Sequence, residues 1–188
     1  MNISSAKFVK GIVGTDELLE NGIPQIVFIG RSNVGKSSLI NSLTKQAGLA
    51  KTSSTPGRTQ QINLFLINNK FYFVDLPGYG FVKISAAMRE RMEELINWYL
   101  FRSPYSQKKI ALIVDAEVGP TAADLEMLYG LEEKGKDFVV VANKIDKIKK
   151  SQFQKQIESI KNKVLGHKVI PYSSKTRVGV GDLLKEIF

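Results

Sequence analysis

The sequence predicts an α/β protein: a mostly parallel sheet with helices packed on both faces. Apolar runs of strand length alternate with longer amphipathic stretches along the 188 residues. The first of these runs, residues 25–29, leads through a short glycine-flanked loop directly into a helix-like segment, the junction of a βα unit. Three later runs are short and continuously apolar, as strands buried on both faces of a parallel sheet are.

Taken in order, residues 25–29 form the first strand, and 37–44 open the first helix. Residues 45–61 are polar, with Ser, Thr, Pro and Gly gathered at 52–59, and read as a long loop. Loops of that length in compact domains are usually functional or mobile. Residues 62–67 and 71–74 flank Asn68-Asn69-Lys70, a hairpin turn that makes one antiparallel pair. Met88, Met92, Leu95, Ile96 and Tyr99 recur at helical spacing over 86–101, with Trp98 on the packing surface. Residues 110–114, 138–141 and 169–172 supply three more strands, separated by helices at 122–133 and 151–164, and a last helix runs from Asp182. The expectation is a three-layer α/β/α arrangement with six strands, one of them an antiparallel edge strand. The whole chain reads as one domain, with residues 1–22 an extension of a core at 23–188.

A chain of 188 residues can bury a substantial core without disulfides or structural metal, and it has no cysteine with which to build them. The first ten residues lack the apolar segment of a signal peptide, and no apolar run approaches the roughly 18 residues of a membrane span. A soluble protein is therefore expected. The formal charge of +9 is unevenly placed: residues 144–177 hold ten Lys or Arg against Asp146 and Glu158, a net of +8. Residues 115–133 hold six acidic residues and no Lys or Arg. A surface polarised in this way suits a polyanionic partner such as nucleic acid, although a solvated lysine-rich helix has the same composition.

The chemistry begins at Gly30-Arg31-Ser32-Asn33-Val34-Gly35-Lys36-Ser37. Glycines at both ends of such a loop let successive backbone N–H groups turn inward around phosphate oxygens, and the helix that follows adds its N-terminal dipole. Lys36 is spaced to reach the β- and γ-phosphates, and the Ser37 hydroxyl to ligate the Mg²⁺ that accompanies a nucleoside triphosphate. Ser38 continues the same helix start.

Asp75-Leu76-Pro77-Gly78 ends the 71–74 strand, where Asp75 can hold a metal-bound water opposite Ser37 and the Gly78 N–H can sense a γ-phosphate. Asn143-Lys144-Ile145-Asp146 follows the 138–141 strand. Its carboxylate can accept two hydrogen bonds from guanine N1–H and the exocyclic amine, which adenine cannot supply. Sites built on such hydrogen bonds discriminate by roughly 10⁴ to 10⁵. The Lys144 stem can cover the base and Asn143 can tie neighbouring loops. Ser173-Ser174-Lys175 follows the last strand and can direct backbone N–H groups at the guanine carbonyl. In the long loop, Gly57, Arg58, Thr59, Gln60 and Gln61 approach the phosphates, with Thr59 completing the Mg²⁺ shell and donating its N–H to the γ-phosphate; Arg58 is a weaker candidate for charge stabilisation.

Together these residues resemble the translation-factor-related GTPases, and among them the EngB family of bacterial ribosome-assembly GTPases. The most family-specific stretches are Gly30 through Asn41, Thr55-Pro56-Gly57-Arg58-Thr59-Gln60 and Asp75-Leu76-Pro77-Gly78-Tyr79-Gly80. The resemblance implies a Ras-like fold, GTP and GDP as ligands with Mg²⁺, a cytoplasmic location, association with the large ribosomal subunit or its precursor, and a requirement in septation and cell division. Ser174 departs from the alanine usual in related GTPases, at a position where only the backbone would touch the base.

Tyr79 stands where Ras-like signalling GTPases carry the glutamine that positions attacking water, so slow intrinsic hydrolysis is expected. Lys36, Thr59 and Gly78 are then the catalytic candidates, joined by Asn33. In related GTPases lacking the glutamine, an asparagine at this position helps hold a monovalent cation, which raises K⁺ activation. A monomer is expected. The rival readings are a nucleotide-sensing module with negligible turnover, a small signalling GTPase and a P-loop kinase or ATPase, the last opposed by Asp146.

Overall fold

The computed structural model describes residues 2–51, 61–80 and 84–188. They form a single seven-stranded sheet: β1 (Ala6–Ile12), β2 (Gln25–Gly30), β3 (Ile62–Ile67), β4 (Phe71–Asp75), β5 (Gln107–Asp115), β6 (Phe138–Asn143) and β7 (Val169–Pro171). The spatial order is β1-β3-β4-β2-β5-β6-β7. Pairings from β4 through β2, β5 and β6 to β7 are parallel, whereas β3 runs antiparallel to both its neighbours.

The expected count of six strands is therefore corrected to seven, and the antiparallel strand is not at the edge. The extra strand is β1, whose sequence Ala-Lys-Phe-Val-Lys-Gly-Ile carries two lysines and a glycine and so lacks the apolar continuity of the other runs. Its pairing is fixed from the hairpin turn. Asn68 and Asn69 both adopt left-handed backbone, φ 51° and 54°, and the Asn68 Oδ1 accepts from the Ser4 and Ser5 amides at 2.8 and 3.0 Å. Exposed lysines, together with a register irregularity between Phe8 and Lys10, blunt this outer edge against further pairing.

The helices are α1 (Lys36–Thr44), α2 (Ala86–Asn97), α3 (Ala122–Glu133), α4 (Phe153–Lys163) and α5 (Val180–Ile187). The helix expected over 86–101 changes to a π-type turn at Trp98–Arg102, and the last helix starts two residues before Asp182. Side chains alternate across the central strands. Val27, Ile29, Leu112, Val114 and Val140 face α2, α3 and α4 through Ile96, Leu128, Leu131, Ile157 and Ile160. Ile26, Phe28, Ile113, Val139 and Val141 face α1 and α5 through Leu39, Leu43, Leu183 and Ile187. Both faces of a parallel sheet must be covered, which is why these runs read as continuously apolar. Trp98 packs partly buried against the first of these cores, as its spacing predicts.

Candidate nucleotide site

The site candidates gather at the carboxyl ends of the parallel strands, where open α/β sheets bind ligands. The loop from Gly30 to Gly35 leaves β2 and enters α1 through Gly35, whose φ of 96° puts it in left-handed backbone. A Cβ there would lie 2.5 Å from the Asn143 Nδ2, so the position requires glycine twice over. Gly35 offers α1 no side-chain cap, and Leu39 is the first residue to bond back, to the Gly35 carbonyl at 2.9 Å. Among the described residues, the amides of Asn33, Gly35, Lys36, Ser37 and Ser38 have no protein acceptor. Five unsatisfied donors at one loop and helix start are an arrangement that an anion can satisfy, and they are called the cradle below.

Beneath that cradle, Lys36 forms an ion pair and hydrogen bond with Asp75 at the end of β4, and both residues are buried. Two buried opposite charges held together in this way leave a hard carboxylate oxygen and, one residue further on, the Ser37 hydroxyl. That donor set fits Mg²⁺, which takes few protein ligands when phosphates supply the rest. The described residues hold no cluster of three His, Cys, Asp or Glu.

Leu76 and Pro77 carry the chain from Asp75 to Gly78, which approaches the phosphate loop closely. A Cβ on Gly78 would stand 3.1 Å from the Ser32 amide nitrogen. The Ser32 amide donates to the Tyr79 carbonyl at 2.9 Å. The Tyr79 side chain turns away from the loop: its hydroxyl donates to the buried Asp124 Oδ1 at 2.8 Å. Burial raises the Tyr79 pKa well above the usual phenol value, and the adjacent Asp124 carboxylate adds to it. Tyr79 is thus a neutral packing residue, unsuited to orient water at a phosphate. Arg31 extends its side chain against Gly80, and its buried Nε has no acceptor among the described residues.

At the other end of the site, Asn143 joins two loops. Its Nδ2 donates to the Val34 carbonyl at 3.0 Å, and its Oδ1 accepts from the Ser174 amide and hydroxyl at 3.2 and 3.1 Å. Lys144, in left-handed backbone, reaches back to donate to the Asn33 carbonyl and the Asp115 Oδ2, both at 2.7 Å. Asp146 is exposed next to Ile145, and its Oδ1 accepts from the Ser173 hydroxyl at 2.6 Å. That bond fixes the carboxylate while leaving Oδ2 open. The Ser173 amide donates to the Val178 carbonyl at 3.1 Å, so of the three amides of Ser173-Ser174-Lys175 only that of Lys175 has no acceptor among the described residues.

Asp115 and Asp124, which bond Lys144 and Tyr79, are passed over by motif reasoning. Asp115 was legible as an acid ending an apolar strand beside the Asn143 strand; Asp124 only as the third residue of a helix capping box opened by Thr121. Gln61 precedes β3 and is exposed, whereas Gly57, Arg58, Thr59 and Gln60 lie outside the described residues.

A phosphate cradle on β2–α1, an acid on β4 and a guanine-type acceptor after β6 on this sheet define a P-loop GTPase. Comparison with known proteins agrees: residues 25–144 match the family described as 50S ribosome-binding GTPase, and residues 105–188 match the elongation factor Tu GTP binding domain. The chain belongs to the EngB family of GTP-binding proteins. It is 44% identical over 190 residues to the probable GTP-binding protein EngB of Clostridioides difficile, covering all of this chain and 93% of that one. It is 42% identical over 193 residues to the EngB of Chlorobaculum tepidum, covering all of this chain and 97% of that one. A crystal structure of a probable GTP-binding protein EngB superposes with a TM-score of 0.74 at 28% identity, over 87% of this chain and 96% of that one. Era in complex with MgGDPNP and nucleotides 1506–1542 of 16S ribosomal RNA gives 0.68 at 27% identity, over 86% of this chain and 54% of that one.

Proposed function

We propose that this GTPase binds GTP with Mg²⁺, hydrolyses it slowly to GDP and phosphate, and uses the difference between the two states to act on the large ribosomal subunit or its precursor. The observation that carries the nucleotide reading is the set of five amides around the α1 start with no acceptor among the described residues, next to the buried Lys36–Asp75 pair. An incoming triphosphate offers those amides the anion they lack, and lets Lys36 exchange the Asp75 carboxylate for phosphate oxygens. Mg²⁺, when bound, neutralises phosphate charge, with Ser37 and Thr59 as ligands and Asp75 acting through water.

Gly30 through Ser38 hold the phosphates, and Gly57 through Gln61 contribute further nucleotide contacts. Gly78 lies close enough to the Ser32 backbone for its amide to follow the γ-phosphate and relax on its loss. Asp146 reads the guanine edge, Lys144 covers the base, and the Lys175 amide is free to donate to the guanine carbonyl. Tyr79 supplies no water-positioning group, so turnover depends on something added. Asn33, exposed in left-handed backbone, is the residue we propose to help hold a monovalent cation such as K⁺.

Membership of a family described as ribosome-binding supports the large subunit as partner. A cytoplasmic monomer required for septation and cell division is the physiological setting we propose. No helix among the described residues is long and apolar enough to cross a membrane.

The test is multiple-turnover hydrolysis of GTP with and without large subunits, in K⁺ and in Na⁺ at equal ionic strength. Turnover stimulated by large subunits and unaffected by excess ATP is expected. Stoichiometric binding with no turnover under every condition would instead establish a nucleotide-sensing module.

A further inference from the structure

The basic residues of the carboxyl-terminal third are not one stripe on one helix. Parallel pairing of β6 with β7, at Val140 with Val169 and Ala142 with Pro171, sends the loops that follow the two strands out at the same end of the sheet. The Ile145 amide bonds the Tyr172 carbonyl at 3.2 Å, and the Ser173 hydroxyl bonds Asp146 at 2.6 Å, locking the two loops side by side. Lys147, Lys149 and Lys150 on one loop and Arg177 on the other are exposed, with Lys155 on the outward face of the first turn of α4. Among the described residues, Lys149, Lys150, Lys155 and Arg177 have no acidic partner. Lys147 has only Glu117 at 3.5 Å, both half exposed. Like charges gathered without counter-charges repel one another, and a polyanion relieves that repulsion.

We propose that this cationic rim docks on the phosphate backbone of ribosomal RNA, and that it contributes the same affinity in the GTP and GDP states. The inference rests on the ribosomal reading above and adds where the RNA sits. State independence follows from position: β6 lies three strands from β4 and β7 four, so at about 4.8 Å per strand the strands that carry the rim loops are roughly 14 to 19 Å from the strand that leads to Gly78. It borders the base end of the nucleotide site, which a γ-phosphate does not touch. An anionic membrane is the poorer fit, because the rim's one markedly exposed apolar side chain is Val178, too little to insert.

The experiment compares the full chain with a Lys149→Gln, Lys150→Gln, Lys155→Gln, Arg177→Asn variant, asparagine being chosen because residue 177 has φ 65°. GDP affinity and thermal melting confirm that the variant is folded. Co-sedimentation with large subunits is measured across about 50 to 300 mM salt, with GDP and with a non-hydrolysable GTP analogue. The rim predicts a loss of tenfold or more, equal in both states, and a plot of log affinity against log salt shallower by about 3 to 4. Unchanged binding of the folded variant, or a loss confined to one nucleotide state, would overturn it.

Two further arms use a ribosomal RNA fragment and phosphatidylglycerol vesicles. A parent chain that binds RNA through these residues but ignores large subunits sinks the ribosomal reading and keeps the rim. A chain that binds vesicles and not RNA sinks the rim itself.

Discussion

The Tyr79 hydroxyl donates to the Asp124 carboxylate across 45 residues of sequence, linking the residue after Gly78 to the first turn of α3. Asp124 is buried, and its other oxygen accepts from the Thr121 amide and hydroxyl at 2.9 and 2.8 Å. Tyr79→Phe leaves Oδ1 without a donor and costs about 1 to 3 kcal/mol, read as a lowered urea midpoint at unchanged slope. Tyr79→Gln does not accelerate hydrolysis, because the side chain faces α3; a rate rise of about tenfold or more in a single-turnover assay would contradict this placement.

The buried tyrosines make stability fall in alkali. Burial raises the pKa of Tyr79 and Tyr99 well above the usual phenol value and pushes Tyr172 up to about 12. The unfolded chain releases these protons near pH 10 while the folded chain keeps them, so stability is complete below that pH and is lost as pH rises through the folded values. Spectrophotometric titration is expected to show these phenols ionising only with unfolding, and Tyr79→Phe to weaken the alkaline loss.

Gly35→Ala places a methyl 2.5 Å from the Asn143 amide in backbone that disfavours any side chain. Both the phosphate cradle and its tie to β6 are disturbed. Calorimetry is expected to show GDP affinity lowered by about a hundredfold or more, together with a lower melting temperature.

Lys36→Met strands the buried Asp75 carboxylate and costs about 3 to 5 kcal/mol in the nucleotide-free protein. Adding Asp75→Leu removes the stranded charge and restores most of that stability without restoring GTP binding. Urea unfolding and nucleotide titration of the single and double variants separate the two roles.

Asp146→Asn replaces the proposed acceptor of two guanine donors with an amide that matches a carbonyl at the purine 2-position. Competition binding is expected to show GTP affinity reduced by several hundredfold or more and xanthosine triphosphate preferred. Retained guanine selectivity would place base recognition elsewhere.

The parallel strands and the phosphate loop were legible because both signals are local: continuous apolar runs for strands buried on two faces, and glycines at fixed offsets for a turn that must admit phosphate. Strand β1 was illegible for the opposite reason. Its lysines and glycine suit an exposed edge, and its pairing depends on Asn68 reaching Ser4 and Ser5 more than sixty residues away. Separations of 29 and 45 residues likewise hide the Lys144 bond to Asp115 and the Tyr79 bond to Asp124, since neither acid belongs to a nucleotide-binding motif. Composition located the basic third of the chain, but only the β6–β7 register brings Lys149 and Arg177 to one rim.

A GTP-driven switch on the large ribosomal subunit is tested most directly by sedimenting the full chain with purified subunits under GTP analogue, GDP and no nucleotide at one salt concentration. Tightest pelleting with the large subunit in the GTP state, with release when GDP replaces it, is the expected result. Equal pelleting in all three conditions, or none in any, would contradict it.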